Sequence, residues 1–312
     1  MKRRLGHLPV FLLVLLGLYS CADQKEGEPF VIGDDIYKMN MRMDEHLVYS
    51  RIINDYFKID VSWLEDRQGA GGGKIPAVYI TDGHWRGVDH KYVHYLAFKG
   101  KMDAVYCVGI GYPQGYDYGR IRERDLTDNP DRFKQAMDEE IIPFVESRYQ
   151  IDGNRRILYG ASYGGYFSLF SLLSDAGSQK KFVTYIASCP VPKTGVARTD
   201  LLQGFRDVKT TGVNLYFGVG SLDNKYIVNV SEELSRILDE GATTGLVHAY
   251  RLYENYDHYS VCRNVIVDAL LFFHGAKTGP VAGAGSAVAA RGLDGIRDLV
   301  YQNMTYHFDE ST

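Results

Sequence analysis

Gly160-Ala161-Ser162-Tyr163-Gly164-Gly165 is the stretch that decides the fold of this chain. It fits the pattern G-x-S-x-G, with a strand-like run at 156–159 before it and an apolar run at 166–170 after it. A sharp turn from strand to helix holds the serine of this pattern in a strained conformation, and only small residues fit two positions to either side. The turn lifts the hydroxyl out of the sheet and places the next backbone N–H at a helix N-terminus. The pattern therefore predicts Ser162 as a nucleophile and the amide of Tyr163 as an oxyanion donor.

Strand-like and helix-like segments alternate on both sides of this motif. Such alternation predicts an α/β fold with a mostly parallel, doubly wound sheet and helices on both faces. Pro143 falls inside one predicted helix and should kink it. The predicted strands are 56–62, 77–81, 104–110, 156–159, 185–188, 213–219 and 247–253, and the predicted helices are 91–98, 131–149, 164–173, 230–240 and 260–274.

A serine hydroxyl is a poor nucleophile unless a base removes its proton. His258 follows the predicted strand 247–253, and loops in that position lie at the carboxyl edge of a doubly wound sheet, where the serine turn also lies. Asp223 directly follows the strand 213–219 and is the preferred acid to orient the imidazole. Asp257 and Glu254 are the rival carboxylates. The chain order Ser162, Asp223, His258 is the order of the α/β-hydrolase fold.

The second oxyanion donor should come from a loop after an early strand. Asp82-Gly83-His84-Trp85 follows the strand 77–81 and suits that position. Gly83 permits a close backbone approach, so we expect the N–H of His84 to point at the carbonyl oxygen. A catalytic or metal-binding His84 side chain is disfavoured, because no second ligand lies nearby at a useful spacing.

With these residues in place, the chain resembles the esterase D family of α/β hydrolases, in its branch of siderophore (enterobactin-type) esterases and carbohydrate esterases. The resemblance implies a metal-free, cofactor-free serine hydrolase with no large lid domain, and it supports His84 and Tyr163 as oxyanion donors. Some siderophore esterases of this kind work with a Ser–His dyad, which leaves the role of Asp223 open. The matching residues span about 48–275 and are Tyr79 to Gly83, Val108 to Pro113, Arg122 to Thr127, Gly160 to Gly165, Gly218 to Asp223 and Asp257 to Tyr259.

Several side chains near the predicted site are candidates for binding a small ester. The rings of Trp85, Tyr112 and Tyr163 would stack on a sugar, a feruloyl ring or a catechol. Arg122 and Arg124 would clamp an anionic group, although an ion pair with Asp125 or Glu123 is the favoured alternative. We expect hydrolysis of a siderophore trilactone or an acylated saccharide. Acyl transfer by the same three residues, and a non-catalytic binding lipoprotein, are the alternatives.

The N-terminus predicts export. A charged start is followed by an apolar run at 8–18 that ends in a lipobox-like segment at Cys21, the predicted lipidation site. We divide the chain into a lipoprotein signal peptide (1–21), a tether (22–45), an α/β-hydrolase domain (46–275) and a Gly/Ala-rich linker and tail (276–312). The mature protein should then be anchored to a membrane in the bacterial cell envelope.

The composition narrows the partners further. The 312 residues carry a formal net charge of −4 without a basic stripe, so no nucleic-acid partner is expected. Cys107, Cys189 and Cys262 show no spacing typical of metal ligands, and we interpret them as core residues, with a disulfide left open. No metal is expected.

Overall fold

The computed structural model describes residues 30–67, 73–176, 180–241 and 245–275. They form an α/β fold around one eight-stranded sheet. The strands are β1 (Met41–Ser50), β2 (Asp55–Leu64), β3 (Ile75–Thr81), β4 (Tyr106–Gly111), β5 (Ile151–Ala161), β6 (Thr184–Ser188), β7 (Val213–Gly220) and β8 (Leu246–Tyr253). The α-helices are α1 (Gly87–Phe98), α2 (Tyr118–Glu123), α3 (Pro130–Ala136), α4 (Ile142–Glu146), α5 (Tyr163–Ala176), α6 (Gly195–Asp207), α7 (Lys225–Glu240) and α8 (Val261–His274).

The sheet is mostly parallel, as the sequence predicts. Its order is β1-β2-β4-β3-β5-β6-β7-β8, and only the β1–β2 and β2–β4 pairs are antiparallel. Helices α1 and α8 pack on each other, while α5, α6 and α7 form a second group. Both α5 and α8 contact β6, so the helices cover the two faces of the sheet. The carboxyl ends of β3, β5, β6, β7 and β8 meet at one edge, and the loops that follow them converge there.

The central strands are buried on both faces. All six residues of β4 are buried, as are all five of β6, and this is why these strands appear in the sequence as continuous apolar runs rather than alternating ones. A rigid core therefore holds the loops at the carboxyl edge.

The folded domain begins earlier than the sequence predicts. A short 3-10 helix (Asp34–Lys38) and the strand β1 occupy part of the segment 22–45 that we interpreted as a tether. Most residues of β1 before Val48 are exposed, because β1 is an edge strand with few side chains in the core. The predicted signal peptide with Cys21, the linker and tail at 276–312, and most of the glycine-rich loop before β3 lie outside the described residues.

Two further regions differ from the prediction. The predicted helix 131–149 is broken into α3 and α4 by a π-type segment (Met137–Ile141), and Pro143 lies in the first turn of α4, where its missing N–H costs nothing. Helix α6 was not predicted because its sequence is polar on average. Within the residues that the structure describes, no helix combines the length and the apolar character needed to cross a membrane.

Candidate active site

The predicted turn from strand to helix is present at Ser162, between the end of β5 and the start of α5. Ser162 has a left-handed backbone (φ 60°), and its N–H donates to the carbonyl oxygen of Ser188 at 2.9 Å. A Cβ atom at Gly160 would lie 2.0 Å from the carbonyl oxygen of Gly164, and one at Gly165 would lie 2.6 Å from that of Ser188. Glycine is therefore required on both sides of the serine, and the strained turn is built as the motif predicts.

His258 and Asp223 form a hydrogen-bonded pair. Nδ1 of His258 lies 2.9 Å from Oδ2 of Asp223, whose side chain is only 2% exposed, while that of His258 is 24% exposed. Burial raises the pKa of Asp223, but hydrogen bonds from His258 and Cys189 outweigh it and hold the pKa below its ordinary value. The carboxylate therefore stays ionised and fixes the imidazole with its Nδ1 proton toward Asp223, leaving Nε2 as an acceptor.

Neither rival carboxylate takes this position. Asp257 accepts hydrogen bonds from its own loop, namely from the N–H groups of Tyr259 and Ser260 at 3.0 and 2.8 Å, and Glu254 is exposed. The loops that carry the acid and the base are also joined directly, since the N–H of Leu222 donates to the carbonyl oxygen of Tyr256 at 3.0 Å. Of the three carboxylates considered, Asp223 is the one that contacts His258.

The serine turn and the histidine loop meet at the end of β6. Ser188, the last residue of β6, accepts the hydrogen bond from Ser162, and the thiol of the next residue, Cys189, lies 3.7 Å from the carbonyl oxygen of His258. Cys189 is buried and has a left-handed backbone (φ 45°). From the sequence we interpreted Cys189 as a core residue; its position directly after a central strand was the signal that it lies near the candidate site.

The loop after β3 presents a free amide. The N–H groups of Gly83 and Trp85 are both hydrogen-bonded, to the carbonyl oxygens of Ile110 and Asp82 at 2.9 Å each, whereas the N–H of His84 has no acceptor among the described residues. A Cβ atom at Gly111 would lie 2.4 Å from this nitrogen. The loop is therefore held so that one amide, that of His84, stays unpaired.

This loop abuts the N-terminus of α5. A Cβ atom at Gly164 would lie 2.2 Å from Oγ1 of Thr81, the last residue of β3. Tyr163 is the first residue of α5, so its N–H has no acceptor within the helix. The arrangement brings two free amides to the edge where Ser162 lies.

The imidazole of His84 is a packing group. It stacks on Tyr118 with ring centroids 4.3 Å apart and packs against Trp85 at 4.4 Å. Burial lowers the pKa of His84 to about 4, so the ring is neutral at pH 7. The side chain is thus engaged in packing, and the role of the His84 backbone N–H as an oxyanion donor stays a prediction.

Both arginines that were considered for substrate binding are engaged in ion pairs. Arg122 forms a two-point pair with buried Asp82, at 2.7 and 3.0 Å, and its guanidinium lies against the rings of Trp85 and Tyr163. Arg124 pairs with Asp125, as in the alternative interpretation, and also with Asp55. Arg122 thus fixes the loop that carries His84, through a partner that the sequence did not indicate.

One predicted substrate residue is corrected. Tyr112 is only 3% exposed and packs against Phe57 and His84, so no substrate ring can stack on it. Trp85 remains accessible, with 49% of its surface exposed. Tyr259, which the sequence did not single out, is 81% exposed, and its ring lies 5.4 Å from that of His258. Its position next to the predicted base was the available signal.

The cysteines of the domain are as expected. Cys107, Cys189 and Cys262 are buried, free thiols.

The fold and this site define a class of enzyme, a carboxylic ester hydrolase, and comparisons with known proteins agree. Residues 58–194 match the family model Esterase, described as putative esterase. This part of the chain, less than half of the 312 residues, is similar to that esterase family. The matched residues include Ser162 and His84 but end before Asp223 and His258.

Two curated relatives and a solved structure are similar to the chain. It is 25% identical to the ferri-bacillibactin esterase BesA of Bacillus subtilis over 200 residues, which are 55% of this chain and 68% of the relative. It is 33% identical to the siderophore triacetylfusarinine C esterase of Aspergillus fumigatus over 161 residues, 43% of this chain and about half (51%) of that relative. The crystal structure of the BES protein from Bacillus cereus superposes with a TM-score of 0.63 at 22% identity, covering 79% of this chain and 97% of that one. The last likeness shows the fold.

Proposed function

We propose that the chain is a serine hydrolase that cleaves a siderophore ester through an acyl-enzyme at Ser162. The observation that carries the proposal is the 2.9 Å hydrogen bond between His258 and Asp223 at the edge of the sheet where the strained Ser162 turn lies. The names of the two curated relatives supply the substrate class.

The proposed reaction follows from these positions. Oγ of Ser162 attacks the ester carbonyl carbon while Nε2 of His258 takes the hydroxyl proton, and the ionised Asp223 stabilises the imidazolium that results. The carbonyl oxygen becomes negative and accepts hydrogen bonds from the free amides of His84 and Tyr163, at the positive end of α5. His258 then gives its proton to the departing alkoxide. Water repeats the sequence on the acyl-enzyme and releases the acid.

The surface around the site favours a substrate that carries rings. Exposed Trp85 and Tyr259 lie on the loops that carry the oxyanion donor and the base. Arg122 and Arg124 are neutralised by carboxylates, so recognition of such a substrate rests on ring stacking rather than on these two cations. Between Gly164 and Asp223 the described residues form α5, β6, α6 and β7, which do not build a lid for a long acyl chain.

Hydrolysis assays on defined esters test this proposal. We expect kcat/KM to be highest for an enterobactin-type trilactone, lower for a feruloylated or acetylated oligosaccharide, and lowest for p-nitrophenyl palmitate. Ser162→Ala should remove nearly all turnover of each, with a loss on the order of 10⁴ to 10⁶ in kcat. A preference for the oligosaccharide would reject the siderophore assignment, and a preference for palmitate would reject the small-ester assignment.

A matched pair of variants tests the role of the rings. Tyr259→Ala should raise KM for the trilactone and leave p-nitrophenyl acetate unaffected, because acetate offers no ring to stack. Tyr37→Ala removes a ring of similar exposure in the short 3-10 helix, outside the loops that carry the candidate site, and is the control. Equal effects of Tyr259→Ala on both substrates would contradict stacking.

We also propose that the protein is exported and anchored in the bacterial cell envelope. The proposal rests on the charged start, the apolar run at 8–18 and Cys21. A siderophore ester would then meet the enzyme outside the cytoplasm.

A further inference from the structure

Beside the proposed acid and base lies the side chain of Cys189, which, like theirs, is of a type that can bind a metal ion. The ligand atoms of Cys189, Asp223 and His258 all lie within 4.8 Å of one another. These residues follow β6, β7 and β8, so they are far apart in the sequence and no short spacing predicts them as a metal site. In the proposed hydrolysis the thiol beside the acid–base pair takes up no proton and forms no bond to the substrate.

This set of donors suits zinc. Zn²⁺ prefers a tetrahedral arrangement of thiolate, imidazole and carboxylate ligands at about 2.0–2.3 Å. Three donors at such distances from one ion lie roughly 3–4 Å apart, and the three atoms here, all within 4.8 Å of one another, are close to that spacing. The thiolate favours zinc over harder cations such as Mg²⁺, which take oxygen ligands. The side chains of Cys189 and Asp223 are buried, whereas that of His258 is partly exposed, so a zinc ion would reach the site from the side of His258.

We propose that Cys189 Sγ, a carboxylate oxygen of Asp223 and Nδ1 of His258 form a zinc site that inhibits the enzyme. Binding releases the thiol proton to solvent, and the Nδ1 proton of His258 moves to Nε2 as zinc takes its place. The nitrogen that should accept the proton of Ser162 then carries one itself. The inhibitory effect rests on the proposed function of His258, whereas zinc binding does not.

The thiol of Cys189 also donates a hydrogen bond, so the test must separate that role from metal binding. Cys189→Ser keeps a donor beside Asp223 and replaces a strong zinc ligand by a weak one. Cys107→Ser changes another buried thiol, on β4 away from the site, and serves as the matched control. Cys262→Ser changes a thiol that lies 3.4 Å from the carbonyl oxygen of His258 but outside the donor set.

The first measurement is calorimetric titration of the purified chain with ZnCl₂, using Ser162→Ala so that the result is independent of turnover. We expect one zinc ion per chain, and the same with Cys107→Ser and Cys262→Ser added. Cys189→Ser should weaken binding at least about tenfold, since loss of even an outer partner costs a zinc site that much. A Co²⁺-loaded chain should show a thiolate charge-transfer band that Cys189→Ser removes. Equal zinc affinity with and without Cys189→Ser would overturn the site.

The second measurement is inhibition of p-nitrophenyl acetate hydrolysis by ZnCl₂, with each variant normalised to its own rate in chelator. Wild type and Cys107→Ser should be inhibited alike, and Cys189→Ser should need at least about tenfold more zinc. Zinc bound at Cys189 without inhibition would overturn the inhibitory role. A chain that binds zinc and hydrolyses no ester under any condition would instead overturn the proposed function and leave the metal site standing.

Discussion

At the scale of single residues, the sequence predicts that three side chains lie at one edge of the sheet because each follows a strand. Ser162, Asp223 and His258 come after β5, β7 and β8, and parallel strands bring their carboxyl ends to one edge. Tyr112 also follows a strand, yet its ring turns into the core. The direction of a side chain after a strand depends on local packing, which the sequence pattern does not contain.

The contact between Asp223 and His258 makes the choice between a triad and a dyad testable. Asp223→Asn removes the negative charge that fixes the Nδ1 proton of His258 and stabilises the imidazolium. We expect kcat to fall on the order of 10⁴, less than for Ser162→Ala, with KM nearly unchanged. Steady-state kinetics on p-nitrophenyl acetate measures this.

The control for this variant is Asp257→Asn, which changes the neighbouring carboxylate that caps its own loop. It should reduce kcat far less. A near-neutral Asp223→Asn would show that the enzyme works as a Ser–His dyad.

At the scale of secondary-structure elements, the sequence predicted the helices and strands that have large buried faces. All seven predicted strands are present, with boundaries that differ by a few residues. The missed elements are amphipathic or short: β1 lies at the edge of the sheet with most of its side chains exposed, and α2 has six residues. Their stability comes from contacts with the finished sheet, such as the full register between β1 and β2, and not from a local pattern.

One contact between elements has a consequence for stability at low pH. On α1, His90 and His94 both hydrogen-bond the hydroxyl of Ser62 on β2, at 2.7 and 2.8 Å, and both are fully buried. Burial lowers the pKa of His90 to about 4 and that of His94 to about 3. In the unfolded chain a histidine has a pKa of about 6.5.

The unfolded state therefore takes up protons as pH falls below about 6.5, before the folded state does, and stability is lost in that range. Each histidine lowers the free energy of unfolding by up to about 1.4 kcal/mol per unit of falling pH. The pair should therefore lower it by up to about 3 kcal/mol per unit between pH 6 and pH 4. Urea unfolding at several pH values measures this slope.

His94→Asn removes one of the two histidines, so it should remove about half of the pair's contribution to the change of unfolding free energy with pH. This holds whatever the variant does to stability at pH 7.5. His248→Asn, at a position on β8 remote from this cluster, is the control. An unchanged slope in His94→Asn would contradict the account of acid unfolding.

At the scale of the whole molecule, the proposed anchor adds a second prediction. If Cys21 is lipidated, the protein made in a bacterial host should enter the detergent phase, and Cys21→Ala should move it to the aqueous phase. A single acyl chain gives only marginal, reversible membrane binding, so stable partitioning into detergent requires at least two chains on the lipidated cysteine. Detergent phase partitioning compares the two, with Cys107→Ala as the control cysteine. Wild-type protein found wholly in the aqueous phase would reject the anchor.

The fold as a whole explains why the positions of the candidate site residues could be predicted. A doubly wound sheet gathers residues that are distant in the sequence, so Ser162, Asp223 and His258 lie at the same edge of the sheet although 96 positions separate the first from the last. The same convergence places Cys189 beside the pair. A site built from residues that are distant in the sequence can be predicted only where a known motif calls for each residue type. No motif calls for a cysteine at position 189, so its place beside Asp223 and His258 was not predicted.

The central claim is that Ser162 is a nucleophile activated by His258, and labelling with a fluorophosphonate probe tests it most directly. Such probes phosphonylate an activated serine hydroxyl. Mass spectrometry of the labelled, digested protein should place the adduct on Ser162. Labelling should be absent in Ser162→Ala and slower by orders of magnitude in His258→Ala, while His248→Ala labels like wild type. An adduct on another residue, or a folded wild type that does not react, would contradict the account.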